Sequence, residues 1–344
     1  MLAALPSPTG REPHLADSFD VLAIGNAIVD VIVSHDDSFL EAQGIPKGSM
    51  RLISAAEAEA LYAAMGPGRE ISGGSAANTS AGIAALGGRA AFVGRVSDDQ
   101  LGRVFAHDIR AAGVTYRTPP ATGGPPTGQC LIIVSPDAQR TMNTYLGSCQ
   151  EVDEPDVDEA MVRASAVTYF EGYLWDPPAP IRAIRKAKAI ARATGRKVAL
   201  TLSDVFCVEG HRADFLDMMV SGAVDIVFAN ENEAKSLFRT DRLDLAIEGL
   251  SRHVPLAVVT RSEKGAVVVN GEGRVEVPVT PAARVLDTTG AGDLFAAGFL
   301  TGYTQGRPLR DCAVMGTIAA AEVIEHYGAR PEADLKARVA AHLG

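Results

Sequence analysis

The sequence predicts an α/β fold built around a mostly parallel central sheet with helices on both faces. Two observations support this prediction. Short apolar runs rich in β-branched residues recur along the chain, and helical patterns lie between most of them. Such alternation of strands and helices is typical of parallel sheets covered on both sides. In these sheets ligands bind beyond the carboxyl ends of the strands.

The elements can be placed in chain order. The predicted strands span residues 21–24, 91–93, 166–170, 197–200, 225–228 and 256–259, and the clearest helical patterns span residues 180–194, 211–222 and 242–253. A further strand-like stretch, residues 284–286, precedes a glycine-rich motif. This order places the motif at the carboxyl ends of the strands, where a ligand is expected.

Two segments, residues 31–52 and 115–146, interrupt the alternation. They contain turn signals and strand-like runs but no convincing helical pattern. We therefore predict that they form a small β-sheet inserted into one main domain, residues 19–344. This sheet is either a mobile lid over an active site or a structural hairpin. Residues 1–18 contain three prolines, interspersed charges and no apolar h-region, which is typical of a loose leader and not of a secretion signal.

Bulk composition argues against several classes of function. Of the 344 residues, 47% are hydrophobic and 22% are charged, which predicts a packed core. The net charge of -10 and the lack of a Lys/Arg run argue against a nucleic-acid-binding surface. No apolar run reaches the roughly 18 residues of a membrane span. Four widely spaced cysteines without a CxxC pair indicate reduced thiols in a cytoplasmic protein.

The most informative motif, Asp-Thr-Thr-Gly-Ala-Gly-Asp at residues 287–293, stands directly before an apolar helical run. Its glycines allow a tight turn close to a ligand. The following helix directs unpaired N–H groups and its positive dipole end toward that turn, which therefore attracts anions. A carboxylate at such a site, Asp293, suits a general base that activates a hydroxyl for phosphoryl transfer. The alternative is that Asp293 only caps the helix.

Polar residues near the first two predicted strands are suited to a substrate. Asp30 follows the first strand, at its end or at the lid hinge, and can accept two hydrogen bonds from a vicinal diol. Gly73 and Gly74 free backbone N–H groups, and Asn78 lies one helical turn further on. The structural alternatives are an exposed aspartate at a strand end and a glycine-rich helix cap.

A third site follows the strand near residue 229, where Asn230 and Glu233 stand three residues apart. A carboxylate in this position suits a Mg²⁺ ion that keeps most of its waters. The alternative is a capped helix with acidic residues in its first turn. The chain has no Gly-x-x-x-x-Gly-Lys-Ser/Thr string, which excludes a P-loop, and no Gly-x-Gly-x-x-Gly after the first strand, which argues against a dinucleotide site.

Together these motifs resemble the ribokinase-like (PfkB) family of sugar and nucleoside kinases, over about residues 19–340. The string Gly-Asn-Ala-Ile-Val-Asp at residues 25–30 is similar to the Gly-Asn-Pro-Leu-Leu-Asp of adenosine kinases, with an alanine that resembles bacterial versions. The stretches 139–147 and 170–173 also resemble the nucleoside-kinase branch. The resemblance implies a ribokinase-like three-layer αβα sandwich with a small β-sheet lid.

The resemblance further implies ATP-dependent phosphorylation of the 5′-hydroxyl of adenosine, with Mg²⁺ as cofactor. It implies that Asp293 is the base and that Gly290, Ala291 and Gly292 form the anion hole. The implied substrate-binding residues are Asn26, Asp30, Gly73, Gly74, Asn78 and Tyr173; the implied phosphate- and ATP-binding residues are Arg140, Asn230, Thr260 and Thr288, with Glu233 holding Mg²⁺ through water. Many relatives also use a monovalent cation such as K⁺, a requirement that the residues leave open.

Other functions stay open at this point. The acceptor can be another nucleoside, such as inosine or guanosine, or a sugar such as ribose. The chain can also be an inactive relative that binds ligands as a regulator, although such a protein has no chemical need for Asp293. The implied partners are a small-molecule nucleoside and ATP, with no nucleic acid and no membrane. The chain is expected to act as a monomer or as a homodimer paired through its lids.

Overall fold

In the computed structural model, which describes residues 18–137 and 139–344, helices pack around two β-sheets. The strands are β1 (Phe19–Ile24), β2 (Ile28–Ser34), β3 (Met50–Leu52), β4 (Arg69–Gly73), β5 (Ala90–Val93), β6 (Thr115–Tyr116), β7 (Gly128–Val134), β8 (Arg140–Tyr145), β9 (Ser165–Glu171), β10 (Lys197–Thr201), β11 (Ile226–Asn230), β12 (Leu256–Thr260), β13 (Ala266–Asn270) and β14 (Gly273–Val277). The helices are α1 (Asp37–Ala42), α2 (Ala55–Met65), α3 (Ser75–Ala85), α4 (Gln100–Ala111), α5 (Glu159–Ala164), α6 (Pro178–Ala193), α7 (Val205–Val220), α8 (Glu231–Leu237), α9 (Leu243–His253), α10 (Ala291–Thr304), α11 (Leu309–Val323) and α12 (Leu335–Leu343).

The larger sheet has the strand order β14-β13-β12-β11-β10-β9-β1-β5-β6. Its strands from β12 to β6 are parallel, and β13 and β14 extend it on one side as antiparallel strands. Each of the six strands predicted from the sequence lies in this sheet. The prediction of a mostly parallel central sheet is therefore confirmed.

Alternate residues of β1 enter two different cores, as the two-residue period of a strand requires. Val21 and Ala23 are buried among residues of α3, α4, α10, α11 and α12, whereas Leu22 and Ile24 are buried among residues of α5 to α9. Helices therefore cover both faces of the sheet. The predicted three-layer αβα arrangement is confirmed.

The smaller sheet, which we call the lid sheet, has the order β3-β8-β7-β2-β4. It differs from the sequence-based segments in two ways: it begins at Ile28, and it includes β4, where no strand was predicted. Moreover, residues 31–52 contain α1, a helix too short for its periodicity to be detected. Most of the proposed leader, residues 1–17, lies outside the described residues.

The predicted strand at residues 284–286 is wrong. This stretch is irregular, and the backbone N–H groups of Leu286 and Asp287 donate to the carbonyl of Ile324, the residue that follows α11. Thus the glycine-rich motif is held by a distant loop and not by a strand of its own. Within the described part of the chain, no helix is long and apolar enough to cross a bilayer.

Candidate active site

A cavity of about 400 Å³ lies between the lid sheet and the carboxyl ends of the large sheet. Residues at the ends of β9, β10, β11 and β12 line one side of it, and residues of β2, β3, β7 and β8 line the other. Most of the residues predicted from the sequence lie around it: Asn26, Asp30, Gly74, Asn78, Tyr173, Asn230, Glu233, Thr260, Thr288, Gly290, Ala291, Gly292 and Asp293. Gly73 and Arg140 do not line the cavity but contact residues that do.

The turn before α10 has the geometry of an anion site. Gly290 precedes the helix with φ +77°, and a Cβ on it would lie 2.5 Å from Cβ of Ala329. Gly290 thus needs both the left-handed conformation and the close approach that only glycine allows. In contrast, a Cβ on Gly292 would meet no described atom within 4 Å. Gly292 therefore leaves open space beside the N–H groups of the first helical turn.

Asp293 stands in the first turn of α10, but its side chain does not cap that helix. Instead, its two carboxylate oxygens accept hydrogen bonds from the Ser75 hydroxyl at 2.6 Å and from the Asn78 amide at 2.9 Å. Burial raises the pKa of Asp293, whereas these two hydrogen bonds and the charge of Arg330 lower it. The capping alternative is therefore wrong for Asp293.

Asp30 lies within β2 of the lid sheet and not at the end of β1, the first of the two positions that the sequence suggested. Its carboxylate contacts Gly73 so closely that a Cβ there would lie 2.5 Å from Oδ1. Gly74 has φ +95°, and a Cβ on it would lie 2.0 Å from the Asn26 carbonyl oxygen. Burial raises the pKa of Asp30 to about 6, against the opposing charges of Arg140 and Arg330. The double glycine thus lets a buried carboxylate lie directly against the backbone.

Glu171, at the end of β9, also lines the cavity and was not predicted from the sequence. Its carboxylate accepts hydrogen bonds from the backbone and side-chain N–H groups of Asn26 at 2.8 and 2.6 Å and from the Ala76 N–H at 2.8 Å. Burial raises the pKa of Glu171 to about 7. The side chain of Asn26 is therefore engaged with Glu171, which joins the end of β1 to the start of α3.

Asn230 and Glu233 form a reciprocal capping box at the start of α8. The Asn230 oxygen accepts from the Glu233 N–H at 2.9 Å, and the Glu233 carboxylate accepts from the backbone N–H of Asn230 at 2.9 Å and from its side-chain amide at 2.5 Å. Burial raises the pKa of Glu233 to about 7. The capped-helix interpretation thus holds, although Glu233 also faces the cavity.

The donor set around Glu233 fits a hydrated cation better than a protein-bound one. Among the described residues, no group of three or more His, Cys, Asp or Glu side chains could hold a metal ion. Mg²⁺ commonly binds through one or two carboxylates, its own waters and substrate phosphates. A single carboxylate that lines the same cavity as the anion-site turn is compatible with that arrangement.

Arg140 of β8 joins the lid sheet to the anion-site turn. Its Nη1 lies 2.8 and 2.7 Å from the two carboxylate oxygens of Asp287 and also donates to the Thr289 hydroxyl. The Thr289 and Gly328 N–H groups donate to the same carboxylate, each at 3.0 Å. In the described part of the chain nothing accepts from Nε or Nη2 of Arg140, which are buried. Arg140 thus holds unused donors beside the anion site.

The lid face of the cavity is largely apolar. Its apolar side chains are Ile28, Met50, Leu52, Cys130, Met142 and Leu146, beside the polar Asp30 and Thr144. Met50 and Leu52 are 43% and 56% exposed, so this apolar face is open to a ligand. Across the cavity, Tyr173 packs near Phe206 with ring centroids 6.0 Å apart, and its hydroxyl donates to the Ser203 carbonyl at 3.1 Å. The cavity therefore has one apolar wall and one polar floor.

The chain is similar to known kinases in both sequence and structure. The sequence model of the pfkB family carbohydrate kinases matches residues 50–335. The crystal structure of adenosine kinase from Sinorhizobium meliloti is 56% identical, with a TM-score of 0.88 over 94% of this chain and 99% of that one. That of a probable sugar kinase protein from Rhizobium etli CFN 42 is 51% identical, with a TM-score of 0.89 over 94% and 98%. The cytidine kinase of Thermococcus kodakarensis is 38% identical over 155 residues, which are 43% of this chain and 54% of that protein.

Proposed function

The chain belongs to the pfkB family of carbohydrate kinases, enzymes that transfer phosphoryl groups to hydroxyls, and we propose that its acceptor is adenosine and its products are AMP and ADP. The observation that supports this acceptor is the two-sided cavity. Asp30, Asn78 and Asp293 suit the hydroxyls of a ribose, and the apolar lid face suits a flat base. A free sugar would leave that apolar face uncovered.

In the proposed reaction the 5′-hydroxyl of the nucleoside lies against Asp293. The Asp293 carboxylate takes the hydroxyl proton as the oxygen bonds to the γ-phosphorus of ATP, and the bond from that phosphorus to the bridging oxygen of ADP breaks. The N–H groups of Gly290 and Gly292 stabilise the negative charge on the transferred phosphoryl oxygens. The N–H of Ala291, which donates to the Thr288 carbonyl at 3.2 Å in this structure, is proposed as the third donor. Because the reaction needs little covalent chemistry from the protein, positioning and electrostatics account for its rate.

The donor side of the cavity is proposed to hold ATP. Thr260 and Thr288 lie along it, Arg140 supplies its unused donors to the phosphates, and Glu233 holds Mg²⁺ through water. When bound, Mg²⁺ neutralises charge on the phosphates and orients them. Whether the reaction requires a monovalent cation such as K⁺ is a separate question for the activity assay. Because all four cysteines are free and buried, we also propose a reducing, cytoplasmic location.

One specific observation favours a second acceptor. The similarity to the cytidine kinase, although it spans only part of each chain, leaves a pyrimidine nucleoside as the rival of adenosine. The apolar lid face, where the base is proposed to bind, offers contact area but few hydrogen-bond donors or acceptors with which to distinguish bases. The choice between adenosine and a pyrimidine nucleoside therefore has to be measured. The sequence-based alternatives inosine, guanosine and ribose belong to the same comparison.

An acceptor panel tests the proposal. Purified protein with ATP and Mg²⁺ is given adenosine, cytidine, inosine, guanosine or ribose, and ADP release and the phosphorylated product are measured. We expect the highest kcat/KM with adenosine and a 5′-monophosphate as product. A higher kcat/KM with another acceptor would refute adenosine as the substrate, and no ADP release with any acceptor would support an inactive ligand-binding protein. With and without K⁺, the same assay measures the cation requirement.

A further inference from the structure

Three consecutive residues after α11, which we call the brace (Gly328, Ala329 and Arg330), contact both glycine loops of the site. The Gly328 N–H donates to Asp287 at 3.0 Å. Ala329 lies against Gly290, where an added Cβ would approach its Cβ to 2.5 Å. The side chain of Arg330 extends to the double-glycine loop on the far side. One short segment thus contacts the anion site and the proposed sugar site.

Arg330 holds the double-glycine loop from both ends. Its Nε and Nη2 donate to the carbonyl and the hydroxyl of Ser72 at 3.0 and 2.8 Å, and its Nη1 donates to the carbonyl of Ala77 at 2.6 Å. Ser72 immediately precedes the two glycines, and Ala77 immediately precedes Asn78. Since glycine has no side chain to restrict its backbone, these three bonds define the shape of the loop.

The Ser72 end of the loop is fixed a second time. The backbone N–H and the hydroxyl of Ser72 both donate to Oδ2 of Asp108 at 2.7 Å, while the same hydroxyl accepts from Arg330. The resulting network is partly buried, and hydrogen bonds to a charged guanidinium are stronger than those between neutral groups. It is independent of the groups proposed to touch the substrate.

The charge of Arg330 also acts on the site. Burial lowers the pKa of Arg330 only to about 10, so the guanidinium remains protonated at neutral pH. Its positive charge lowers the pKa of Asp293, as do the hydrogen bonds from Ser75 and Asn78, against the raising effect of burial. It also lowers the pKa of Asp30, together with Arg140 and against Asp293 and Asp287. The brace therefore supplies a cation beneath both proposed functional carboxylates.

We propose that Arg330 is a positioning residue that ties the double-glycine loop to the anion-site turn, so that the acceptor hydroxyl, Asp293 and the phosphoryl group meet. This inference rests on the proposed kinase function and adds to it a residue that does not touch the substrate. It assigns two separable contributions: the forked hydrogen bonds set the loop, and the charge keeps the carboxylates ionised.

Two substitutions separate these contributions. Arg330→Lys keeps the positive charge but loses the forked hydrogen bonds of the guanidinium. KM for the acceptor should therefore rise about 10- to 100-fold, the range for a lost hydrogen bond to a charged group. The acid limb of the kcat–pH profile should not move, because the charge is still present. Arg330→Met loses both, so KM should rise and the acid limb should move to higher pH. The control is Arg338→Met on α12, which loses an ion pair to Glu325 but no contact with either loop, and should match the parent.

The outcomes distinguish the two proposals. If the parent phosphorylates an acceptor but Arg330→Lys keeps its KM and kcat within about twofold, the positioning role is refuted and the kinase function stands. A soluble Arg330→Met variant with a lower Tm but an unmoved acid limb would refute the electrostatic contribution. If Arg330→Met does not fold, the Lys variant alone decides the positioning role. A parent that is inactive on every acceptor refutes both proposals.

Discussion

Replacing Asp293 by asparagine is the most direct test of the proposed mechanism, because the structure allows this change with little disturbance. Asparagine has the shape of aspartate. Its oxygen can accept from the Ser75 hydroxyl as the carboxylate does. The new NH₂ group of the asparagine faces the side-chain amide of Asn78. That amide can turn over and present its Oδ1 as an acceptor, because the Oδ1 of Asn78 is buried without a hydrogen-bond partner among the described residues. The variant therefore loses the base but keeps the local packing.

The expected size of the effect follows from the role. A positioned general base contributes about 10²- to 10⁴-fold in rate, or roughly 3–5 kcal/mol of transition-state stabilisation. We expect kcat to fall by that factor and KM for adenosine and for ATP to change by less than about threefold, since the lost interaction is made only in the transition state. Because burial raises the pKa of Asp293, its ionised form destabilises the fold at neutral pH, so Tm of the variant should be equal to or above that of the parent.

The assay couples ADP release to a spectroscopic signal and is run beside thermal unfolding. Asp311→Asn is the matched control, because Asp311 stands in the first turn of α11 and does not line the cavity. This control should keep parental kcat. An Asp293→Asn variant that retains kcat within about tenfold would remove Asp293 from the role of base. A large loss of Tm would mean that the carboxylate acts structurally.

Four other expectations concern the same cavity. Asp30→Ala should raise KM for adenosine at least about tenfold, as a lost charge-assisted hydrogen bond does, with little change for ATP; an unchanged KM would contradict its assignment to the ribose. Because burial raises the pKa of Asp30 to about 6, its acceptor form is lost as pH falls through 6, so the parent's KM for adenosine should rise between pH 7 and 5; a flat profile would argue against an ionised Asp30. Gly292→Ala should fold with parental Tm, since its Cβ meets no described atom, yet slow phosphoryl transfer; parental kcat would show that the phosphoryl group does not approach this residue. Arg140→Met should lower the free energy of unfolding in urea by about 3 kcal/mol, because Asp287 would keep a buried charge without its cation; an unchanged midpoint would contradict this account.

The large sheet could be predicted from the sequence because its signals are local. Runs of β-branched residues between amphipathic helices indicate parallel strands wherever they occur. The lid sheet was harder to delimit, since β4 and α1 are short and carry no clear period. The strand prediction for residues 284–286 was wrong for another reason. The stretch has strand-like composition, but the backbone N–H groups of residues 286 and 287 donate to the carbonyl of Ile324, far away in sequence. Tertiary contacts override local propensity there.

The motif residues surround one cavity because the carboxyl ends of parallel strands meet at one edge of the sheet. The site residues that could not be predicted from the sequence are those whose contacts lie far away along the chain. Ser75 is separated by 218 residues from the Asp293 carboxylate that it contacts, and Arg330 by 258 residues from Ser72. Glu171 lies in the stretch 170–173, of which the sequence singled out only Tyr173, while its carboxylate accepts hydrogen bonds from Asn26 and Ala76. A lone serine, arginine or glutamate gives no signal of such pairings.

The buried carboxylates explain why so many long-range donors are needed here. Burial raises the pKa of Glu171 and Glu233 from 4.5 to about 7, so their ionisation destabilises the fold progressively as pH rises from about 4.5 to 7. A stable fold tolerates this only if N–H groups face these side chains, as those of Asn26 and Asn230 do. These donors hold the carboxylates in fixed places before any ligand binds. Burying these carboxylates therefore costs stability but fixes their positions. A phosphoryl-transfer enzyme depends on such a preorganised site.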